Sequence, residues 1–163
     1  MSLTVVVVYP DLLGTYGDGG NGTVLAKRAS WRGIHCELIS ATSAEPLPRG
    51  DIYCLGGGED APQAEACAAL ASDGTLSRAV ADGAAVLAVC AGYQILGKTF
   101  VDARGQPLPG LGLLDASTVK GAGRRSVGEL VAEPLIDGIP TLTGFENHGG
   151  VTMLGEGVQP LGR

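Results

Sequence analysis

Residues 3–9 read LTVVVVY, with four valines in a row and no charged residue among them. Successive side chains of a strand point to opposite faces, so a strand made of this run must be covered on both sides. Sheets of that kind are parallel and carry helices on both faces, which makes an open antiparallel sheet the wrong home for this segment. The run has a strand's length and falls far short of the roughly 20 apolar residues that cross a bilayer. MSLTVVVVYP has no positively charged stretch before its apolar part, so it reads as a first strand and not as a secretory leader.

The pattern that follows agrees with this start. PDLLGTYGDGGN is dense in turn formers, and Asn21 or Asp18 is placed to cap a helix over Gly22–Arg32. Short strands are expected at Cys36–Ser40 and Asp51–Leu55, the second ending in Gly56-Gly57-Gly58. Pro62–Ala71 and Thr75–Asp82 read as helix, Ala84–Val89 as another buried strand, and Gly92–Lys98 as the opening of a further helix. Strands alternating with helices imply βαβ units and a mostly parallel sheet. Residues 110–136 change character and predict two strands around a glycine-rich turn, an antiparallel extension. With 163 residues, 45% hydrophobic and 17% charged, residues 1–163 suit one α/β domain.

Charge and cysteine usage narrow the function classes. The net charge is −6 and no basic run exceeds Arg124-Arg125, which argues against nucleic acid or an anionic membrane surface as partner. Cys36, Cys54, Cys67 and Cys90 show no CxxC or other ligand spacing, and Asp18, Glu59, Asp60 and His148 share no element, so neither a metal nor a cofactor is expected. TYGDGGN lacks the lysine of a phosphate loop and the GxGxxG spacing, and reads as a site rim or a partner-facing loop. Free thiols in a reducing cytoplasm are the expectation.

One cysteine stands apart. In AVLAVCAGYQILG, residues 85–97, a buried strand runs into Cys90, and a helix opens directly after it. A nucleophile on such a strand-to-helix turn is held exposed, and the small Ala91 and Gly92 let a substrate approach the backbone. The N–H groups of the helix start favour thiolate and can hold an oxyanion, as can a donor on the Gly56–Gly58 turn. Cys36, Cys54 and Cys67 read as ordinary packed thiols.

VCAGYQILG resembles the nucleophile elbow of class I (triad-type) glutamine amidotransferases, and LGGGED the oxyanion-strand turn of their cobyric-acid-synthase-like branch. YPDLLGTYGDGGN and GFENHGG bring the resemblance closer to the glutaminase subunits of lipid II isoglutaminyl synthase, the GatD type. It runs from Val5 to about Gly162 and implies a flavodoxin-like α/β fold. It also implies attack of a cysteine thiolate on the carboxamide of L-glutamine, with ammonia passed to a Mur-ligase-like (MurT-type) subunit that uses ATP to amidate D-glutamate of lipid II. Carried onto this chain, the nucleophile is Cys90 and the oxyanion donors are the N–H groups of Ala91 and Gly57. The ligand of the glutamine α-carboxylate is Arg125, or else Arg124.

The proton shuttle departs from the pattern. His35 opens a short strand far from the site motifs, and His148 lies in the FENHGG turn. The resemblance places the catalytic histidine in a later segment of a Tyr-Leu-His-Gly-Pro kind, past Arg163, so the natural chain is expected to continue there. His148 as base and a catalytically dead partner-binding module are the alternatives, with Glu146 and Asn147 as plain turn formers. Amidation of cobyrinic or cobyric acid is the competing enzyme function, and a redox-type cysteine protein is a further class.

Overall fold

The computed structural model describes residues 2–163. Its first sheet is parallel throughout, with order β2-β1-β3-β4, where β1 is Ser2–Val8, β2 His35–Ala41, β3 Ile52–Leu55 and β4 Ala85–Ala88. β1 sits inside, paired with β2 and β3, and Val5–Val8 are at most 7% exposed, as the valine run requires. Register places Val6 and Val8 on the same face as Tyr53 and Leu55. That face packs on Leu70 of α3 (Asp60–Asp73), Leu76 of α4 (Thr75–Ala81), Ile95 of α5 (Ala91–Leu96), and Phe100 beyond it. The other face meets α2 (Gly19–Ser30), whose Gly22 lies directly over Val5, Val7 and Leu38.

β4 differs from the expectation of a buried strand. It is the sheet edge, and Ala85, Leu87 and the following Val89 are exposed because α2 lies mainly over β1 and β2, with a smaller contact to β3. The loop after β1 contains a short helix, α1 (Pro10–Leu13), started by Pro10 after a left-handed Tyr9 (φ 47°). Gly74, at φ 67°, separates α3 from α4.

The antiparallel extension is present with a different pairing. β7 (Ala116–Lys120) and β8 (Ser126–Ala132) are the two expected strands, yet they do not pair with each other. β7 is flanked by β10 (Gly150–Leu154) and β5 (Thr99–Val101), with β6 (Pro107–Pro109) outside β5. β8 pairs over its whole length with β9 (Leu142–His148). A near-continuous extended stretch through Gly149 thus supplies partners to both, β9 to β8 and β10 to β7. No helix of the described residues is long and apolar enough to cross a membrane.

Candidate active site

β3 and β4 run side by side, so their carboxyl ends place the Gly56–Gly58 turn next to Cys90, where ligands of open parallel sheets bind. Cys90 has φ 54° and ψ −115°, a conformation rare for a residue with a Cβ and a local strain that the surrounding contacts must hold. Three hydrogen bonds do so: the Gly92 N–H donates to the carbonyls of Gly56 and Val89, and the Val89 N–H to that of Leu55. Gly92 has to be glycine, since a Cβ there would lie 2.6 Å from that of Leu55. The result is an exposed thiol, whereas Cys54 and Cys67 are buried and their thiols are pushed up by burial. Ala91 opens α5, and its N–H has no acceptor among the described residues.

The glycine turn is pressed from its other side. A side chain at Gly56 would collide with the Leu13 carbonyl and the Asp18 Cβ, and one at Gly58 would lie 2.7 Å from the Leu12 oxygen. A Cβ on Gly57 would stand 2.9 Å from the Tyr16 ring and 3.4 Å from the Cys90 Cβ. Gly57 is thus beside the thiol, but its N–H donates to Asp18 Oδ2 at 2.9 Å and is not free for a ligand in this conformation. Gly58 lines the cavity, and its N–H has no acceptor among the described residues.

The cavity holds about 320 Å³ and brings together residues from across the chain. Cys90 and Ala91 meet Tyr16 and Glu59 on one side and Arg125 and His148 on the other. Arg124 is not part of its lining, and His35 bonds Ser2 at the opposite end of β1. Arg125 is aimed by Asn147: its Nε donates to Oδ1 at 2.6 Å and its Nη2 to the carbonyl at 3.1 Å. His148 has both ring nitrogens engaged, Nδ1 with the Gly150 oxygen (2.9 Å) and Nε2 with Glu146 Oε2 (3.0 Å). Tyr16 donates its hydroxyl to Glu59 Oε1, and the Glu59 carboxylate holds the phenol above its ordinary range.

Sequence reasoning missed Gln63 and Gln94. Gln63 is 3% exposed and donates to Gln94 Oε1 at 3.0 Å, both lining the same cavity as Cys90. A glutamine on an alanine-rich helix face, four residues before the buried Cys67, was the available signal. A second cavity of about 360 Å³ lies at the amino ends of the strands, around Thr4, Asp51 and Ala84, and contains no thiol. Among the described residues no group of three or more His, Cys, Asp or Glu side chains could hold a metal ion.

An exposed thiol, a guanidinium and unpaired backbone donors around one opening suit acyl transfer from a small substrate with a carboxylate. Two curated relatives are named lipid II isoglutaminyl synthase (glutamine-hydrolyzing) subunit GatD. That of Staphylococcus aureus is 39% identical over 92% of this chain and 62% of its own length. That of Streptococcus pneumoniae is 32% identical over 99% and 63%. The chain therefore spans less than two thirds of either relative. A cobyric acid synthase of Pelotomaculum thermopropionicum is 42% identical over 52% of this chain and 18% of its own length. A solved structure titled as a glutamine amidotransferase superposes with a TM-score of 0.63 at 24% identity, covering 98% of this chain and 79% of that one, which supports the fold. The family profile extends over both the parallel sheet and the strands that carry Arg125 and His148, matching residues 4–163: the chain belongs to the CobB/CobQ-like glutamine amidotransferase domain family.

Proposed function

We propose that this chain is the glutaminase part of an amidotransferase acting in peptidoglycan synthesis. The carrying observation is the exposed Cys90 thiol on its strained elbow, flanked by Ala91 and the glycine turn, in a chain of this family. Cys90 Sγ, as thiolate, attacks the carboxamide carbon of L-glutamine; the C–N bond breaks and the nitrogen leaves as ammonia, carrying the proton that the thiol gave up. Water then cleaves the γ-glutamyl thioester to glutamate and regenerates the thiol. The Ala91 N–H faces the developing oxyanion, and Arg125, already aimed by Asn147, pairs with the α-carboxylate.

Ammonia is handed to a Mur-ligase-like (MurT-type) subunit that binds ATP and lipid II and amidates D-glutamate, the chain and its partner forming a heterodimer. This acceptor is favoured over cobyric acid because the GatD relatives align with 92–99% of the chain and the cobyric acid synthase with about half. Residues 1–163 are treated as one glutamine amidotransferase-like domain, and the four free thiols suit the cytoplasm. His148 is the imidazole in the cavity lining; serving as proton shuttle requires its Nε2 to leave Glu146.

The test is glutamate release from L-glutamine, with and without a Mur-ligase-like subunit, for the natural chain and for Cys90→Ser and His148→Ala. Release that vanishes with Cys90→Ser supports the reading, and release that survives it overturns it. Loss with His148→Ala makes that residue the base, and persistence places the base elsewhere.

A further inference from the structure

Asp18 precedes α2 as its N-cap residue, but its carboxylate makes no capping bond to that helix. It reaches instead across 39 positions of sequence to the Gly57 N–H. The same segment lies on all three glycines of the turn: Leu12 and Leu13 oxygens over Gly58 and Gly56, the Tyr16 ring over Gly57, Asp18 Cβ over Gly56. The turn also touches Cys90: the Cβ position on Gly57 that would meet the Tyr16 ring would meet the Cys90 Cβ as well. Neither Asp18 nor Gly57 is part of the cavity lining, and the Gly57 N–H that Asp18 takes is not offered to the opening containing the thiol. Gly58, one peptide on, does line the opening and keeps a free N–H. The three glycines are thus held in close contact with a strap, residues 12–18, and at Gly57 with the nucleophile elbow as well. Asp18 is the polar pin of that contact.

We infer that Asp18 is a positioning residue for acyl transfer at Cys90: by holding the Gly57 N–H it fixes the peptide plane of the turn, so that Gly58 supplies the second backbone donor beside Ala91. This rests on the glutaminase reading, and it replaces Gly57 by Gly58 as the glycine-turn donor. An amide whose plane is fixed before reaction stabilises developing charge without reorganising, which is where backbone donors gain most of their effect. A carboxylate suits the pin, because an N–H bonded to a charged acceptor is held more firmly than one bonded to a neutral oxygen.

The experiment separates acyl transfer from plain thiol reactivity on the same sulfur. Single-turnover release of p-nitroaniline from L-glutamic acid γ-p-nitroanilide passes through a tetrahedral oxyanion at Cys90. Alkylation of Cys90 by iodoacetamide is a direct displacement and needs no oxyanion donor. Asp18→Ala is expected to slow acylation about 10- to 100-fold, the range of a lost charge-assisted hydrogen bond, and to leave the alkylation rate within about twofold. Asp18→Asn retains an oxygen acceptor at the same position and is expected to acylate within about fivefold of the natural chain. Acylation by Asp18→Ala at the natural rate overturns the inference. So does a parallel fall of both reactions, which is what a merely structural role produces, or an Asp18→Asn variant as slow as Asp18→Ala. A natural chain that alkylates at Cys90 but releases no p-nitroaniline instead contradicts the glutaminase reading itself, and the inference falls with it.

Discussion

The β1–β3 core and the β8–β9 hairpin are built from similar apolar residues and treat them in opposite ways. Val5–Val8 on β1 are almost fully buried, whereas Val127 and Val131 on β8 and Phe145 on β9 are more than 60% exposed. The first region has helices on both faces; the second is a two-stranded ribbon standing off the sheets. Strand count and layering, more than residue type, decide how much an apolar side chain contributes to stability. The site straddles this divide. Its thiol and backbone donors come from the ends of β3 and β4, while Arg125, Glu146, Asn147 and His148 come from the ribbon. In the proposed reaction, the bond-making groups sit on the buried half and the carboxylate-binding guanidinium on the half with less packing behind it.

The sharpest way to break this division of labour is to remove each half's contribution in turn. Cys90→Ser should lower glutamate release by more than about a thousandfold with the thermal unfolding midpoint unchanged, because a hydroxyl without its own base is a far weaker nucleophile. In the core, Leu76→Ala should destabilise by about 2–5 kcal/mol in urea unfolding, since Leu76 is wholly buried among the helices on β1 and β3. Val131→Ala on the ribbon should stay within about 0.5 kcal/mol, and a cost as large as that at Leu76 would erase the contrast.

On the recognition side, Arg125→Ala should raise KM for glutamine about 10- to 100-fold through the lost carboxylate pair, with kcat less affected. Arg124→Ala, outside the cavity lining, should leave KM alone; the reverse pattern would reassign the role. A separate, pH-dependent effect concerns Asp73, which pins both Leu47 and the start of α4. Burial alone would raise its carboxyl, but bonds from Thr75 and the Leu47 N–H outweigh this and hold it below the ordinary range. A folded-state value below the unfolded one gives stability that is complete above the unfolded value, about pH 4, and lost as pH falls through the lowered value. Asp73→Ala should therefore cost about 1 kcal/mol at pH 7, with the two proteins converging in acid.

How far these features could be read from the sequence follows the same divide. The valine run fixed β1 as a covered strand, and the chain VCAG fixed the elbow, because both depend on neighbours a few residues apart. The exposure of β4 depends on α2 covering only part of a face, which no local pattern records. β8 pairs with residues 10 to 22 positions on and β7 with residues 30 to 38 on, in strands joined through Gly149, and the glycine-rich turn between β7 and β8 does not record those pairings. Asp18 looked like a helix cap and is instead a long-range acceptor for Gly57. Aspartate has both uses, and only the packing of residues 12–18 on the glycine turn selects between them.

The central claim, that Cys90 is a thiol poised to accept an acyl group from glutamine, is tested most directly by mapping the reaction of the folded protein with a glutamine-analogue electrophile. Cys54 and Cys67 are buried with their thiols pushed up, and Cys36 is half-buried in β2, so the four sites should differ widely in rate. The account predicts that the label is found first and almost entirely on the peptide carrying Cys90, and that excess L-glutamine slows it while D-glutamine does not. Label appearing first on Cys36, Cys54 or Cys67, or a Cys90 rate indifferent to L-glutamine, would contradict it.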